Sequence, residues 1–151
     1  MIERWSRIIV LTAIFALTWG PRAAAASEGG CSRIDAMKAL DEADRLKDWN
    51  AVYRSFKRFA ACDDGAIAEG YSDTVGRLLD TDWAHLDLLY RLTVADASFK
   101  RFVLRHIDPT IPANTLKRIR ANATTRCPKK ANPICESIDN RAATVTRVNA
   151  R

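Results

Sequence analysis

The sequence predicts an all-α protein of about six short helices, packed as stacked antiparallel hairpins and cross-linked by two disulfides. Apolar residues recur along the chain at the three- and four-residue spacing of helices, and no segment alternates convincingly as a β-strand does. An even number of cysteines, four, follows a segment that is typical of export. These observations leave two architectures open, a compact bundle and a short HEAT-like stack.

The first 26 residues have the order of a secretory signal peptide. Arg4 and Arg7 precede a mostly apolar run over 8–19, which is followed by a helix-breaking Gly-Pro pair and by four alanines over 23–26. The apolar run is shorter than the roughly 20 residues that a membrane-spanning helix needs. We therefore expect residues 1–26 to be cleaved, leaving a periplasmic or secreted protein with no transmembrane span.

The mature chain is expected to form one helical domain over 27–139, followed by a flexible tail over 140–151, whose residues are mostly small or polar. Loss of residues 1–26 removes three arginines and one glutamate, which lowers the formal net charge from +6 to +4. A mildly basic exported protein suits an acidic protein or an anionic envelope component better than nucleic acid.

The first two helices are marked by caps and by apolar spacing. Ser32 and Asp35 form a capping pattern, and the helix that they begin is predicted to run to about Lys47. Asp48 is predicted to cap a second helix that ends near Cys62. The apolar positions are Ile34, Met37 and Leu40 in the first helix and Trp49, Val52, Tyr53, Phe56 and Phe59 in the second.

Helix geometry favours one pairing of the cysteines. Two helices of similar length, folded back on each other, bring the start of the first beside the end of the second, and Cys31 and Cys62 occupy those ends. Cys127 then pairs with Cys135 across a proline-containing loop after the last helix. The rival pairing of Cys62 with Cys127 stays open, because the last helix could dock beside the second. A zinc site is disfavoured, since the chain has no Cys-x-x-Cys pair.

Four further helices follow. Ile67, Tyr71, Val75, Leu78 and Leu79 mark the third, which Gly70 and Gly76 should loosen. Asp82 and Asp96 are predicted to cap the fourth and fifth helices, and Pro112 suits the first turn of the sixth.

A five-residue segment occurs twice. Ser55-Phe-Lys-Arg-Phe59 recurs as Ser98-Phe-Lys-Arg-Phe102, 43 residues later. A period in the forties is typical of stacked helical hairpins. An amphipathic helical turn reused by chance explains the repeat equally well.

Residues suited to catalysis are few. His106 lies on an apolar helix face and is predicted to be a core residue, whereas His85 follows Asp82 by three positions and suits a helix start. Among the acidic residues, Asp63, Asp64, Glu69, Asp73 and Glu136 are the candidate carboxylates, and Asp63-Asp64-Gly65 indicates a helix end and a new start. No nucleophile elbow or phosphate-binding glycine loop is present. We therefore assign no catalytic residue, metal or cofactor.

Basic side chains provide the candidate partner-facing surface. They are Lys57, Arg58, Lys100, Arg101 and Arg105. The leading hypothesis is an exported non-enzymatic binding protein, with an immunity-type inhibitor of an envelope-directed toxin as its specific form. The alternative is a protein that binds an anionic lipid or cell-wall polymer of the envelope. The third hypothesis is an unfamiliar periplasmic enzyme that uses His85 or an acid near Glu69.

Overall fold

The computed structural model describes residues 30–150, and it contains helices and turns without any β-strand in that range. The all-α prediction is therefore confirmed. The signal-peptide prediction falls on residues 1–26, outside the described range. The helices are α1 (Arg33–Glu42), α2 (Trp49–Phe59), α3 (Gly65–Thr81), α4 (Leu86–Ala95), α5 (Ala97–Arg105), α6 (Ala113–Thr125) and α7 (Asn132–Asn149). Short 3₁₀ turns lie at Ala60–Cys62, Trp83–His85 and Lys129–Ala131.

Three predicted caps form as side-chain hydrogen bonds. The backbone N–H of Asp35 donates to Ser32 Oγ at 3.1 Å, and that of Ala51 donates to Asp48 Oδ1 at 2.8 Å. Asp96 accepts from the first turn of α5. The fourth cap is different, because the carboxylate of Asp82 contacts the imidazole of His85 instead of a backbone N–H. Helix α1 also ends at Glu42, five residues before the predicted end.

The main core is a cluster of apolar side chains that the helices from α2 to α7 share, and a smaller buried cluster joins Ala39, Phe59 and Cys62. Helix α3 packs against α1 and α6, helix α2 packs against α4 and α5, and α7 lies along α6 while also contacting α5. Within the core, the ring centroid of Phe56 lies 5.4 Å from that of Phe99 and 5.0 Å from that of Phe102. The fold is therefore the compact bundle rather than a stack in which each hairpin contacts only its neighbours.

The repeated pentapeptide does not mark a repeated structural unit. Residues 55–59 are the last five residues of α2, whereas residues 98–102 begin one residue after the start of α5. The helix is interrupted at Asp96, between α4 and α5. The residue 43 positions earlier, Tyr53, lies inside the continuous helix α2. The two copies instead meet in the core, where their phenylalanines pack together.

The prediction of a flexible tail over 140–151 is wrong for residues 140–149, which are helical. Helix α7 continues to Asn149, and Ala142 and Val145 are buried against the bundle. The sequence did not predict this helix because its apolar residues are sparse. The signal that could have revealed it is the helical spacing of Ile134, Ile138, Ala142 and Val145, which lie on one face. Residues 30–150 therefore contain seven α-helices instead of about six.

Both predicted disulfides are confirmed. Cys31 is bonded to Cys62 with a Cα–Cα distance of 4.8 Å, and Cys127 is bonded to Cys135 with a distance of 6.1 Å. The first bond ties the start of α1 to the end of the α2 segment, as the hairpin geometry predicts. The second joins the end of α6 to the first turn of α7 and does not bridge a terminal loop.

The two glycines of α3 allow close packing instead of loosening the helix. A Cβ added at Gly70 would lie 3.0 Å from Ala43 Cβ and 3.2 Å from the backbone nitrogen of Asp44. A Cβ added at Gly76 would lie 3.1 Å from two side-chain carbons of Ile111. Gly70 therefore lets the end of α1 approach the backbone of α3, and this approach fixes where α1 lies.

Candidate functional site

Helix α1 presents its large apolar side chains to solvent. Ile34, Met37 and Leu40 are 65, 63 and 53% exposed, although each is a bulky hydrophobic residue. The side of α1 that packs on the bundle carries alanines, of which Ala39 is fully buried. This arrangement reverses the usual orientation of an amphipathic helix. We refer to Ile34, Met37 and Leu40 as the α1 stripe.

Contacts at both ends hold α1 in this orientation. The Cys31–Cys62 disulfide anchors its first turn. Beyond its last turn, Thr74 Oγ1 donates to the carbonyl of Ala43 at 2.8 Å, and the Arg77 guanidinium donates to the carbonyl of Leu46 at 2.5 Å. The α1 stripe therefore lies on a rigid element, and its exposure does not follow from a loosely attached helix.

An open depression of about 460 Å³ adjoins the α1 stripe. Met37 and Leu40 line its apolar side, and Asp41, Asp44 and Arg45 line its polar side. The Arg45 guanidinium lies 2.5 Å from Asp41 and 3.6 Å from Asp44, and all three side chains are exposed. Such exposed ion pairs contribute little stability, so these groups can exchange their partners at low cost.

The five predicted partner-facing residues have different surroundings. Lys57 lies 3.3 Å from Asp96, which partly neutralises it, and Arg58 stacks over the ring of Phe59 at 4.5 Å. Lys100 is half-buried on α5. Arg101 and Arg105, in contrast, line one depression of about 310 Å³. The structure therefore brings together two of the five predicted residues.

Two residues that the sequence analysis did not select complete this depression. They are Leu104 of α5 and Arg141 of α7. Arg141 was overlooked because it falls in the segment predicted to be a tail. Its Nε donates to the carbonyl of Ile107 at 2.9 Å, which holds the side chain beside α5. We call Arg101, Arg105 and Arg141 the arginine site.

A buried chain of polar groups lies beneath the arginine site. His106 Nε2 is 3.0 Å from Asp63 Oδ2, and His106 Nδ1 is 3.1 Å from Ser72 Oγ. Ser72 Oγ also donates to Asp108 Oδ2 at 2.6 Å, and the guanidinium of Arg105 donates to Asp63 Oδ2. His106 is a core residue, as predicted. The role of Asp63 was not foreseen, because its partners are about 43 residues away in the sequence.

The serine, histidine and aspartate of this hydrogen-bonded group are the residue types of a nucleophilic triad, but the serine is buried. Ser72 has no exposed surface, although it borders a cavity of about 190 Å³ that Gly76 and Ile111 also line. Burial, together with the nearby charge of Arg105, lowers the pKa of His106 to about 4. The contacts of His106 link the end of α5 to Ser72 of α3 and to Asp63, which precedes α3.

The remaining predicted candidates lie at the surface. His85 is 67% exposed, and its Nδ1 lies 2.5 Å from Asp82 Oδ1, a contact that raises the pKa of His85. Asp64 accepts from the backbone N–H of Gly65 at the start of α3. The other acids, Glu69, Asp73 and Glu136, are exposed.

Comparisons with protein-family models, with curated proteins and with solved structures found no match for this chain. Within residues 30–150, no helix is both long and apolar enough to cross a bilayer. Over the same range, no group of three or more histidine, cysteine, aspartate or glutamate side chains is placed to hold a metal ion.

Proposed function

We propose that this chain is an exported, non-enzymatic binding protein, and specifically an immunity-type inhibitor of an envelope-directed toxin. The observation that carries the proposal is the α1 stripe, three large apolar side chains that a rigid helix holds outward. Contiguous apolar surface of this kind is typical of protein–protein interaction sites. Because α1 is already fixed at both ends, docking on it costs little conformational entropy.

The partner that suits this surface is another exported or secreted protein. Apolar side chains of the partner would bury the α1 stripe, and the acids and the arginine beside the adjoining depression would form the polar rim of the interface. The two disulfides support a location outside the cytosol, because such bonds persist in oxidising compartments.

Protection of cells and complex formation together test the proposal. We expect the tagged protein, purified from the envelope of its own host, to carry one exported protein in a one-to-one complex and to block the toxicity of that protein. The Met37→Glu variant should lose both properties, because it places a charge at the centre of the α1 stripe. Val94→Glu is the matched control, since Val94 is 67% exposed on α4, away from the stripe.

Two results would overturn this function. The first is a Met37→Glu variant that still binds and protects as the wild type does. The second is an envelope preparation in which the protein has no stoichiometric protein partner under conditions where its host makes the toxin.

A second candidate function is binding of an anionic envelope component, and the arginine site favours it. Such a protein should sediment with isolated envelopes and be released by salt, because salt screens contacts between exposed charges. Replacement of Arg101 and Arg141 together by glutamine should weaken the sedimentation, because both residues line the arginine site. Unchanged sedimentation of this variant would exclude the arginine site as the contact.

A further inference from the structure

We propose that the arginine site binds a phosphate group. Arg101, Arg105 and Arg141 line a single open depression of about 310 Å³ with the apolar side chain of Leu104. Three arginine side chains from two helices, α5 and α7, therefore border one open space that is large enough for a small oxyanion. This inference deepens the second candidate function, since it names a chemical group and the residues that would hold it.

Each of the three guanidinium groups is held by one hydrogen bond. Arg101 donates to Ser98 Oγ at 2.8 Å, Arg105 donates to Asp63, and Arg141 donates to the carbonyl of Ile107. A guanidinium has five N–H donors, so most donors of the three groups have no partner within residues 30–150. The side chains are thus oriented in advance while their remaining donors stay available to a ligand.

The positive charge of the arginine site is only partly compensated. Among the described residues, the carboxylate bonded to these arginines is that of Asp63, whose side chain is 1% exposed and which also contacts His106. The other two guanidinium groups bond to a hydroxyl and to a backbone carbonyl, which are neutral. Arg101 and Arg141 therefore have no carboxylate partner among the described residues, and their positive charge is available to an anion.

The number of donors favours phosphate over carboxylate. A carboxylate has two oxygens, and a single guanidinium can satisfy both in a bidentate pair. A phosphate group carries its charge on two or three oxygens that point in different directions, and arginines that approach from several sides match this geometry. Leu104 adds an apolar wall that an ester substituent of the phosphate could contact.

Titration with inorganic phosphate tests the site directly. At low ionic strength, we expect saturable binding of phosphate by NMR shift changes that cluster around Leu104. The double variant Arg101→Gln/Arg141→Gln should bind at least about tenfold more weakly, as expected for lost hydrogen bonds to a charged group. Arg105 is left unchanged, because its removal would take a partner from the buried Asp63 carboxylate.

The control is a double variant with the same loss of charge at exposed positions elsewhere, Arg91→Gln on α4 with Lys117→Gln on α6. It should bind phosphate as the wild type does. Absence of saturable binding, or equal weakening in both double variants, would overturn the site, because the effect would then reflect net charge alone. Thermal unfolding of each variant verifies that the fold is kept.

Vesicles distinguish the two sources of a phosphate group. If the source is a lipid headgroup, the protein should float with phosphatidylglycerol vesicles and not with phosphatidylcholine vesicles, and the Arg101→Gln/Arg141→Gln variant should not float. Binding of inorganic phosphate without flotation would assign the site to a free phosphate ester. Failure of both measurements overturns the site and leaves the inhibitor function untouched, since that function depends on the α1 stripe.

Discussion

His106 Nε2 lies 3.0 Å from Asp63 Oδ2, and the two side chains are 2 and 1% exposed. The contact joins the end of α5 to the segment just before α3, next to the Cys31–Cys62 disulfide. It is a long-range link between two residues that the sequence separates by 43 positions. Because both groups are withdrawn from water, the protonation of His106 affects the stability of the whole bundle.

The stability of the protein should fall as the pH falls from about 6.5 to about 4. Burial lowers the pKa of His106 to about 4 in the folded state, whereas an unfolded histidine titrates near 6.5. Between these values the unfolded chain binds the additional proton, so acid favours unfolding by up to about 3 kcal/mol. Urea unfolding at pH 7 and at pH 4.5 measures the change.

The matched variant for this prediction is His106→Gln, which replaces the imidazole by a polar amide that does not titrate. It should be less stable at pH 7, but its stability should depend less on pH between 6.5 and 4. An identical pH dependence in the two proteins would show that other groups cause the acid sensitivity.

Substitutions at two valines of α7 should affect the stability of the protein differently. Val145 is 2% exposed and Val148 is 57% exposed, although both lie in the segment first expected to be flexible. Val145→Asp should destabilise the protein by about 3 kcal/mol or more, because it buries an unpaired charge, while Val148→Asp should change stability by less than about 0.5 kcal/mol. Equal effects in chemical denaturation would mean that α7 does not dock as described.

The two glycines of α3 should respond differently to alanine. Gly70→Ala is expected to destabilise by about 1–3 kcal/mol, because the new methyl group meets the backbone at Asp44 as well as Ala43. Gly76→Ala meets only the side chain of Ile111, which can move, so the gain in helix propensity should offset most of the strain. Thermal unfolding compares the variants, and a more stable Gly70→Ala protein would contradict the close approach of α1.

The disulfide that closes the longer loop should contribute more to the free energy of unfolding than the other disulfide. The Cys31–Cys62 bond closes 31 residues and the Cys127–Cys135 bond closes 8, which the chain-entropy model values at about 3–4 and 2–3 kcal/mol. Denaturation of Cys31→Ser/Cys62→Ser and Cys127→Ser/Cys135→Ser proteins tests the order. A greater loss from the second pair would indicate that the docking of α7 depends on its disulfide.

Much of the local structure was predictable because its causes lie within a few residues. The caps at Ser32, Asp48 and Asp96 depend on side chains next to the backbone groups that they satisfy. The pairing of Cys31 with Cys62 was favoured by two helices of similar length joined by a short turn, and the structure confirms it. Asp82 shows the limit of this reasoning, since a nearby histidine competes for its carboxylate.

The candidate sites were predicted less well, since they depend on contacts between distant segments. Arg101 and Arg105 of α5 line one depression, and Arg141 joins them only because α7 docks beside α5. The apolar residues of α1 marked a helix correctly, yet their pattern did not reveal that the alanine face would be the buried one.

By itself, the sequence determined the helical class and most of the helix starts, because hydrogen bonds and apolar periodicity within one or two turns decide these features. It favoured the observed pairing of the cysteines, and the tertiary structure excluded the rival pairing of Cys62 with Cys127. Only the tertiary structure decided which face of α1 is exposed, that α7 is part of the core and that His106 meets Asp63. These features depend on which surfaces pack together, and the free energy of that packing is shared among residues far apart in the chain.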